Sequence, residues 1–315
     1  MSIDISVIVP VFNEEASVKL MREHIIKALE PLGRPFEIIF VDDGSSDESF
    51  DRLATMAEQD NRIVVVKFRR NRGQTAAMMA GIEYACGRVL VTMDGDLQND
   101  PADIPMMLAK LEEGYDLVVG WRINRQDKWL SRKLPSMFAN WLIGKVTRLP
   151  IRDNGCSLKV YRGEFIKAVP LYSDMHRFIP ALNLPLGARI AEVGVRHHAR
   201  QFGESKYGLS RIYKVLIDLI VIKTLLLFSR HPLRRFAWLA IVMSVPALWF
   251  GWQAVLGEGA SGSGSLTTPT AVAMLFGSLA IYLLLLGVIT GLIFRHAART
   301  IPDWLEIPNQ EVSEG

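Results

Sequence analysis

An α/β fold on a parallel sheet, carried on a two-span membrane anchor, is what this sequence predicts. Three observations carry the prediction. Short β-branched runs alternate with helical stretches through the first 120 residues. Acidic and Gly-containing motifs recur where those runs end. Two long apolar runs without a charge lie near the C-terminus.

Taken in order, ISVIVPV (5–11) is the first strand and a helix is expected over 14–29. FEIIFVDD (36–43) is the second strand, followed by a helix over 47–59. RIVVVKF (62–68) and a helix over 73–86 come next, then RVLVTMD (88–94), a helix over 102–113, and DLVVG (116–120). Continuous apolar strands separated by helices indicate a parallel sheet buried on both faces. Ligands of such sheets bind beyond the carboxyl ends of the strands. Further strands are expected at SLKVY (157–161) and IAEVGVRHH (190–198).

Residues 134–149 read equally as an amphipathic helix in a membrane interface or as a core-facing helix. The stretch 209–235 is strongly apolar but carries Lys214, Asp218 and Lys223. Each such charge at mid-bilayer costs about 2.5–3.5 kcal/mol, so an interfacial helix is expected there rather than a span. Residues 236–256 and 271–294 hold no charge, and each reaches roughly 30 Å as a helix, one hydrocarbon core. Arg230, Arg234 and Arg235 precede the first run, Arg295 and Arg299 follow the second, and the loop between them has no basic residue. The positive-inside rule then places both termini in the cytoplasm. The N-terminus also lacks the basic flank and apolar run of a signal peptide. The expected partition is a cytoplasmic domain over 1–208, an interfacial helix over 209–235, an anchor over 236–299 and an acidic cytoplasmic tail over 300–315. A net charge of +3 is too small to call for a nucleic-acid partner. Cys86 and Cys156 form no Cys/His cluster and read as two buried free thiols, which disfavours zinc.

The chemistry is expected at the strand ends. In DGDLQND (94–100), Asp94 closes the fourth strand and Asp96 follows two residues on. Close carboxylates repel and raise one another's pKa unless a cation lies between them. A hard divalent ion, Mg²⁺ or Mn²⁺, suits them, with Gln98 as a further oxygen donor or as an orienting group. Such an ion would also neutralise a diphosphate leaving group. The bland alternative is a polar turn with two solvated acids. In VDDGSSDES (41–49), Asp42 and Asp43 end the second strand, Gly44 permits a tight turn and Asp47 is placed to cap the next helix. These acids can accept from nucleobase or ribose donors, although Asp-Gly-Ser is also ordinary turn chemistry. In VPVFNEE (9–15), Pro10 marks the end of the first strand, Asn13 suits a helix cap or a nucleotide-sugar contact, and Glu14 would face a nucleotide. RRNRGQTAAM (69–78) sets arginines before a helix N-terminus, a suitable phosphate wall. In RQFGESKYG (200–208), Arg200, Ser205 and Lys206 could grip a phosphate, or else form a basic turn near anionic lipid. Neither GxGxxG nor GxxxxGK[ST] is present.

These motifs occur in an order and at a spacing that resembles the family 2 glycosyltransferases of the dolichyl-phosphate mannose synthase type. The likeness is greatest to bacterial polyprenyl-phosphate glycosyltransferases with two C-terminal spans, and it extends to about Arg299. The resemblance implies a GT-A, Rossmann-like nucleotide-sugar-binding domain, a divalent metal, and inversion at the anomeric carbon. It assigns Asp94, Asp96 and Gln98 to the metal and diphosphate, and Pro10, Glu14, Asp42 and Asp43 to the nucleotide pocket. It assigns Arg122 to the acceptor phosphate, with Arg132 and Ser136 as a further phosphate-binding pair. Arg200, Ser205 and Lys206 match a mobile loop closing over the site. Trp121, Asn154 and Cys156 depart from the residues relatives often have.

The expected reaction is transfer of a hexose from a nucleotide sugar, UDP-glucose first and GDP-mannose second, to undecaprenyl or another polyprenyl phosphate for the cell envelope. The expected setting is the inner (plasma) membrane, and relatives suggest a homotetramer. Two other readings are a catalytically silent sugar-nucleotide sensor or scaffold, and a processive polysaccharide synthase. The second would call for a QxxRW motif, which this chain lacks.

Overall fold

A computed structural model of the chain describes residues 3–123, 143–145, 147, 149, 151–169, 175–199, 219, 221, 223, 224, 232–260 and 267–299. The described residues fall into two compact units that divide between Lys223 and Thr224.

The first unit is built on a seven-stranded sheet. Its strands are β1 (Ile5–Val11), β2 (Phe36–Asp42), β3 (Ile63–Lys67), β4 (Val89–Thr92), β5 (Leu117–Arg122), β6 (Lys159–Arg162) and β7 (Ile190–Val195). They lie in the order β3-β2-β1-β4-β6-β5-β7. β1 pairs in parallel with β2 from Ile5↔Phe36 to Val11↔Asp42, and β2 with β3 from Ile38↔Ile63. The expectation of an all-parallel sheet needs one correction. β6 runs antiparallel to both neighbours, with Thr92 opposite Lys159 and Val119 opposite Lys159 on its two sides. The reversal has a consequence for the site: β6 begins at the edge where the other six strands end, so the segment leading into it crosses that rim.

The helices are α1 (Val18–Leu29), α2 (Ser49–Gln59), α3 (Gln74–Tyr84), α4 (Ile104–Glu112), α5 (Gly163–Lys167) and α6 (Ile179–Asn183). In α1, Val18, Met21, Ile25 and Leu29 recur at three- and four-residue spacing and are all buried. They join Ile104, Met107, Leu108 and Leu111 of α4 over the inward side chains of β1, β2 and β4. Burial of each large aliphatic side chain is worth about 1.5–3 kcal/mol, so this layer holds the sheet flat against two helices. α3 covers β1 and β2 closely because residue 81 is glycine: a Cβ there would collide with the Ile8 side chain.

Several boundaries differ from the expected ones. α1 starts at Val18, not near Glu14, because residues 12–17 turn to reach the loop after β2. β4 ends at Thr92, so Asp94 stands two residues beyond the strand instead of closing it. β5 runs on through Arg122. Pro10 lies inside β1, where its missing N–H falls beyond the last β1–β4 pair, Ile8↔Thr92. Cys156 is buried as expected, but Cys86, just past α3, is exposed.

The second unit holds two long helices, α7 (Pro232–Ala260) and α8 (Thr267–Arg299). Pro232–Leu256 and Thr268–Leu292 are long and apolar enough to cross a membrane. Only 6% and 11% of their most apolar windows are buried, which separates them from core helices of similar composition. The helices pack on each other closely at Gly287, where a Cβ would come within 2.7 Å of the Phe236 Cβ. Leu248, Trp249, Leu275 and Leu285 point outward. The expected helices over 134–149 and 209–235 lie for the most part outside the described residues.

Candidate active site at the carboxyl edge of the sheet

The β1–β2 side of the rim is shaped by main-chain donors. Asp43, at the end of β2, accepts from the amides of Arg72 at 2.7 Å and Gly73 at 2.9 Å. That pins the loop before α3 against the turn after β2. The turn itself depends on Gly44, whose φ is 70° and whose Cβ, if present, would lie 2.6 Å from the Arg70 carbonyl carbon. Burial pushes the Asp43 carboxyl up despite its two amide donors. Asp42 is fully buried; Oδ1 accepts from the Ser45 amide at 3.3 Å while Oδ2 has no partner. A buried carboxylate oxygen without a donor is costly, and a ligand N–H or hydroxyl at that point would satisfy it.

Asn13 is not the helix cap that sequence suggested. It is left-handed, with φ 53°, and its Oδ1 accepts from the Ser46 amide at 2.8 Å while its own amide donates to Ser45 Oγ. Asn is among the few residues that adopt this conformation readily. The pair of bonds fastens the β1 loop to the β2 loop. Glu14 accepts from Ser17 Oγ through Oε2 at 2.9 Å, and its amide donates to Ser49 Oγ at 2.8 Å. Asp47 accepts from the amides of Ser49 and Glu15.

The β4–β6–β5 side is shaped by charge. Asp94 accepts from Gln74 Nε2, the first residue of α3, at 2.5 Å. Its carboxyl is pushed up to about 6, chiefly by burial and then by the negative charge of Asp96; Lys159 and Arg122 pull the other way. Asp96 is buried and its Oδ1 accepts from the Gln98 amide at 3.2 Å. Leu97 between them takes φ 60°, which turns the loop sharply. Gln98 is held to the segment after β7: its carbonyl accepts from the His198 amide at 2.9 Å. Arg122, at the end of β5, is bonded side-on by Asp153, Nε to Oδ2 at 2.6 Å and Nη2 to Oδ1 at 2.9 Å.

An acid whose proton affinity a neighbouring carboxylate raises is a fitting seat for a hard divalent cation, which removes the repulsion. Asp94 and Asp96 would hold it, with Gln98 beside them. No group of three or more His, Cys, Asp or Glu side chains converges among the described residues, so diphosphate and water oxygens would complete its shell.

The structure thus brings Pro10, Asn13, Glu14, Asp42, Asp43, Asp94, Asp96, Gln98 and Arg122 to one edge of one sheet. Arg132, Ser136, Arg200, Ser205 and Lys206 lie outside the described residues. Sequence reasoning passed over Gln74, Asp153, Ser157 and Lys159. Lys159 is fully buried on β6, with its ammonium donating to the Cys156 carbonyl. Burial lowers its pKa, opposed by Cys156, Asp153 and Asp94. The signal available was the motif DNGCSLKVYR; what hid its meaning was the reversed direction of β6.

Residues 6–169 match the family model described as "Glycosyl transferase family 2". A dodecaprenyl-phosphate galacturonate synthase of Rhizobium johnstonii is 44% identical over 251 residues, 78% of this chain and 74% of that protein. An undecaprenyl-phosphate 4-deoxy-4-formamido-L-arabinose transferase of Serratia proteamaculans is 36% identical over 325 residues, 98% of this chain and 97% of that one. Among solved structures, glucosyl-3-phosphoglycerate synthase from Mycobacterium tuberculosis with UDP superposes with a TM-score of 0.54 at 22% identity, over 70% of this chain and 80% of that one. The same enzyme with Mn²⁺ and UDP-glucose gives 0.53 at 19% identity, over 70% and 78%. The fold likeness agrees with the mixed sheet described above, and the family match runs through every rim motif from β1 to β6. On these grounds the chain belongs to glycosyl transferase family 2.

Proposed function

We propose that this chain transfers a sugar from a nucleotide sugar to the phosphate of a polyprenyl lipid, with inversion and with a divalent metal. The reaction would take place at the cytoplasmic face of the plasma membrane. The observation that carries the reading is the placement of Asp94, two residues past β4, and Arg122, at the end of β5, on one rim on either side of the segment leading into β6. A leaving diphosphate and an attacking phosphate are both anions, and a rim with metal-seating acids beside a guanidinium suits both. The names of the two relatives, each a transferase or synthase on a prenyl phosphate, support the acceptor class. The two apolar helices support a membrane location, and the basic flanks support an orientation with both termini cytoplasmic.

In this reading Asp42, Asp43 and Asn13 receive the nucleoside, and the unpartnered Asp42 Oδ2 takes one of its donors. Asp94 and Asp96 seat Mg²⁺ or Mn²⁺, which neutralises charge on the departing diphosphate. Arg122 lowers the repulsion as an acceptor phosphate oxygen approaches the anomeric carbon. The new C–O bond forms as the bond to the diphosphate breaks, and its electron pair leaves with the nucleoside diphosphate. A phosphate is already anionic near neutral pH, so no strong base is required. Orientation and electrostatics supply most of the acceleration.

The donor sugar is where the named relatives diverge, one a galacturonate synthase and the other a 4-deoxy-4-formamido-L-arabinose transferase. UDP-glucose remains the first candidate and GDP-mannose the second. Membranes containing the protein, Mn²⁺ and polyprenyl phosphate are given a panel of labelled UDP- and GDP-sugars, and organic-extractable label is counted. Label should enter the organic phase with one donor and be lost in Asp96→Ala. Label that stays aqueous with every donor would instead favour a sugar-nucleotide sensor.

A further inference from the structure

We propose that Asp153 is a positioning residue that fixes the acceptor phosphate's docking point by holding Arg122; this rests on the acceptor reading above. Because β6 runs against its neighbours, the segment Asp153–Leu158 crosses the rim between the ends of β5 and β4. Its two ends meet Arg122 and the loop that carries Asp94 and Asp96. Asp153 grips Arg122 through the Nε and Nη2 edge, and its Oδ2 also accepts from the Arg122 amide at 3.4 Å. Ser157 Oγ accepts from Asn99 Nδ2 at 2.7 Å, which ties the segment to the loop that carries Asp94 and Asp96.

The segment is itself fixed. Glu192 on β7 accepts from the amides of Arg152 at 2.8 Å and Asp153 at 3.2 Å, and Gly155 donates its amide back to Asp153 Oδ1. Thr92 Oγ1, at the end of β4, donates to the Ser157 carbonyl at 3.0 Å. The spacing between the acid that seats the metal and the arginine that meets the acceptor is therefore set by one braced stretch of chain. A two-point carboxylate–guanidinium bond fixes the plane of the arginine as well as its place, which a single bond to a lysine does not do. Asp153 has a side-chain exposure of 7% and Arg122 of 15%, so the pair is shielded from the solvent that would loosen it.

The test compares full-length wild type, Asp153→Asn, Arg122→Lys and the double variant, in detergent with the donor that the panel selects. Asp153→Asn should lower kcat/KM for the acceptor on the order of tenfold to a hundredfold, the scale of a misplaced reactant. The donor KM and the Mn²⁺-dependent binding of the nucleoside diphosphate should stay at wild-type values. The double variant should lose no more than Arg122→Lys alone, since Asp153 acts through Arg122. Equal losses toward donor and acceptor, or losses that multiply in the double variant, overturn the proposal while wild-type transfer keeps the acceptor reading intact. Wild type that transfers nothing to polyprenyl phosphate overturns both. If Asp153→Asn fails to bind nucleotide and is therefore misfolded, Asp153→Glu keeps the charge and shifts it by one methylene. It should show the same acceptor-selective loss, and unchanged acceptor kinetics in that variant count against the proposal.

Discussion

The two halves of the rim solve one problem by different means. Beside β1, β2 and β3, carboxylates and amides are met mainly by backbone N–H groups: Asp43 by Arg72 and Gly73, Asp42 by Ser45, Asn13 by Ser46. Beside β4, β6, β5 and β7 they are met by opposite charges and side chains: Arg122 by Asp153, Asp103 by Arg196, Asp94 by Gln74. Main-chain donors fix a shape and bring no net charge, which suits a pocket that holds a nucleoside through steps that leave it unchanged. Fixed charges set a field, which suits the half where charge moves. The difference teaches that one sheet edge carries a mould and an electrostatic device side by side.

The largest effect that would sharpen this contrast is on the charged half. Asp94→Ala removes one of the two acids expected to seat the metal, and with it the acceptor of the Gln74 Nε2 bond. It should reduce transfer by about 10²–10³-fold, the scale of losing one electrostatic contact to a developing charge. Thermal stability should hold or rise, because the lost carboxylate is burdened by burial and by Asp96. A variant with wild-type transfer rates at saturating Mn²⁺ would break the contrast.

Next comes the moulded half, where stability is expected to suffer. Gly44→Ala sets a Cβ against the main chain of Arg70 and Asn71 at 2.6–2.7 Å, in a backbone with φ 70°. Backbone is the neighbour, so no side chain can swing away. A cost of about 1–3 kcal/mol is expected from the conformation, with the clash added to it. Urea denaturation of the unit should read it, together with a raised donor KM as the loop of Arg70–Gly73 shifts. Gly33→Ala serves as the control: its φ is 62°, but nothing lies within 4 Å of the added carbon. A Gly44 variant no less stable than the Gly33 variant would deny that the two loops are locked.

The mould was more legible in sequence than the charges. Strand runs such as FEIIFVDD and RVLVTMD announce themselves because buried parallel strands are continuously apolar, and the acids at their ends follow at once. The helix-cap reading of Asn13 was the one that failed. Its side chain meets Ser46, a contact across 33 residues that no local capping pattern contains. The brace of the charged half was hidden for a topological reason. SLKVY reads as a strand in either direction, and only its antiparallel insertion between β4 and β5 carries Asp153, Ser157 and Lys159 to the rim. Lys159 illustrates the point best. A lysine within an apolar strand suggests a side chain reaching for water, yet its ammonium is buried beside Cys156, a result of partners that arrive from other strands.

The smallest expected effect separates the halves by pH. Asp94 is pushed up to about 6 by burial and by Asp96, from an ordinary value of 3.8, and Asp43 is raised by burial. A carboxyl whose folded pKa lies above its unfolded one opposes folding when ionised. That opposition is present at neutral pH and is relieved as pH falls through the folded value toward 4. Asp60 has the opposite sign: Arg62 and then Arg22 hold its carboxyl well below the usual range, so its contribution is full above about pH 4 and lost only beneath that. Between pH 7 and 5, metal-free protein should therefore become more stable as acid is added, and the Tm measured in EDTA should rise. Glu192 is raised by burial as well, so in Asp94→Asn that rise should shrink to what Asp43 and Glu192 contribute, and in Asp43→Asn to what Asp94 and Glu192 contribute. Mn²⁺ should remove only the Asp94 part, because a cation between Asp94 and Asp96 compensates their charge and has no counterpart beside Asp43. Were Mn²⁺ to flatten the slope equally in the Asp94→Asn protein, the cation would be acting on the moulded half, and the division of the rim into a shape and a field would fail.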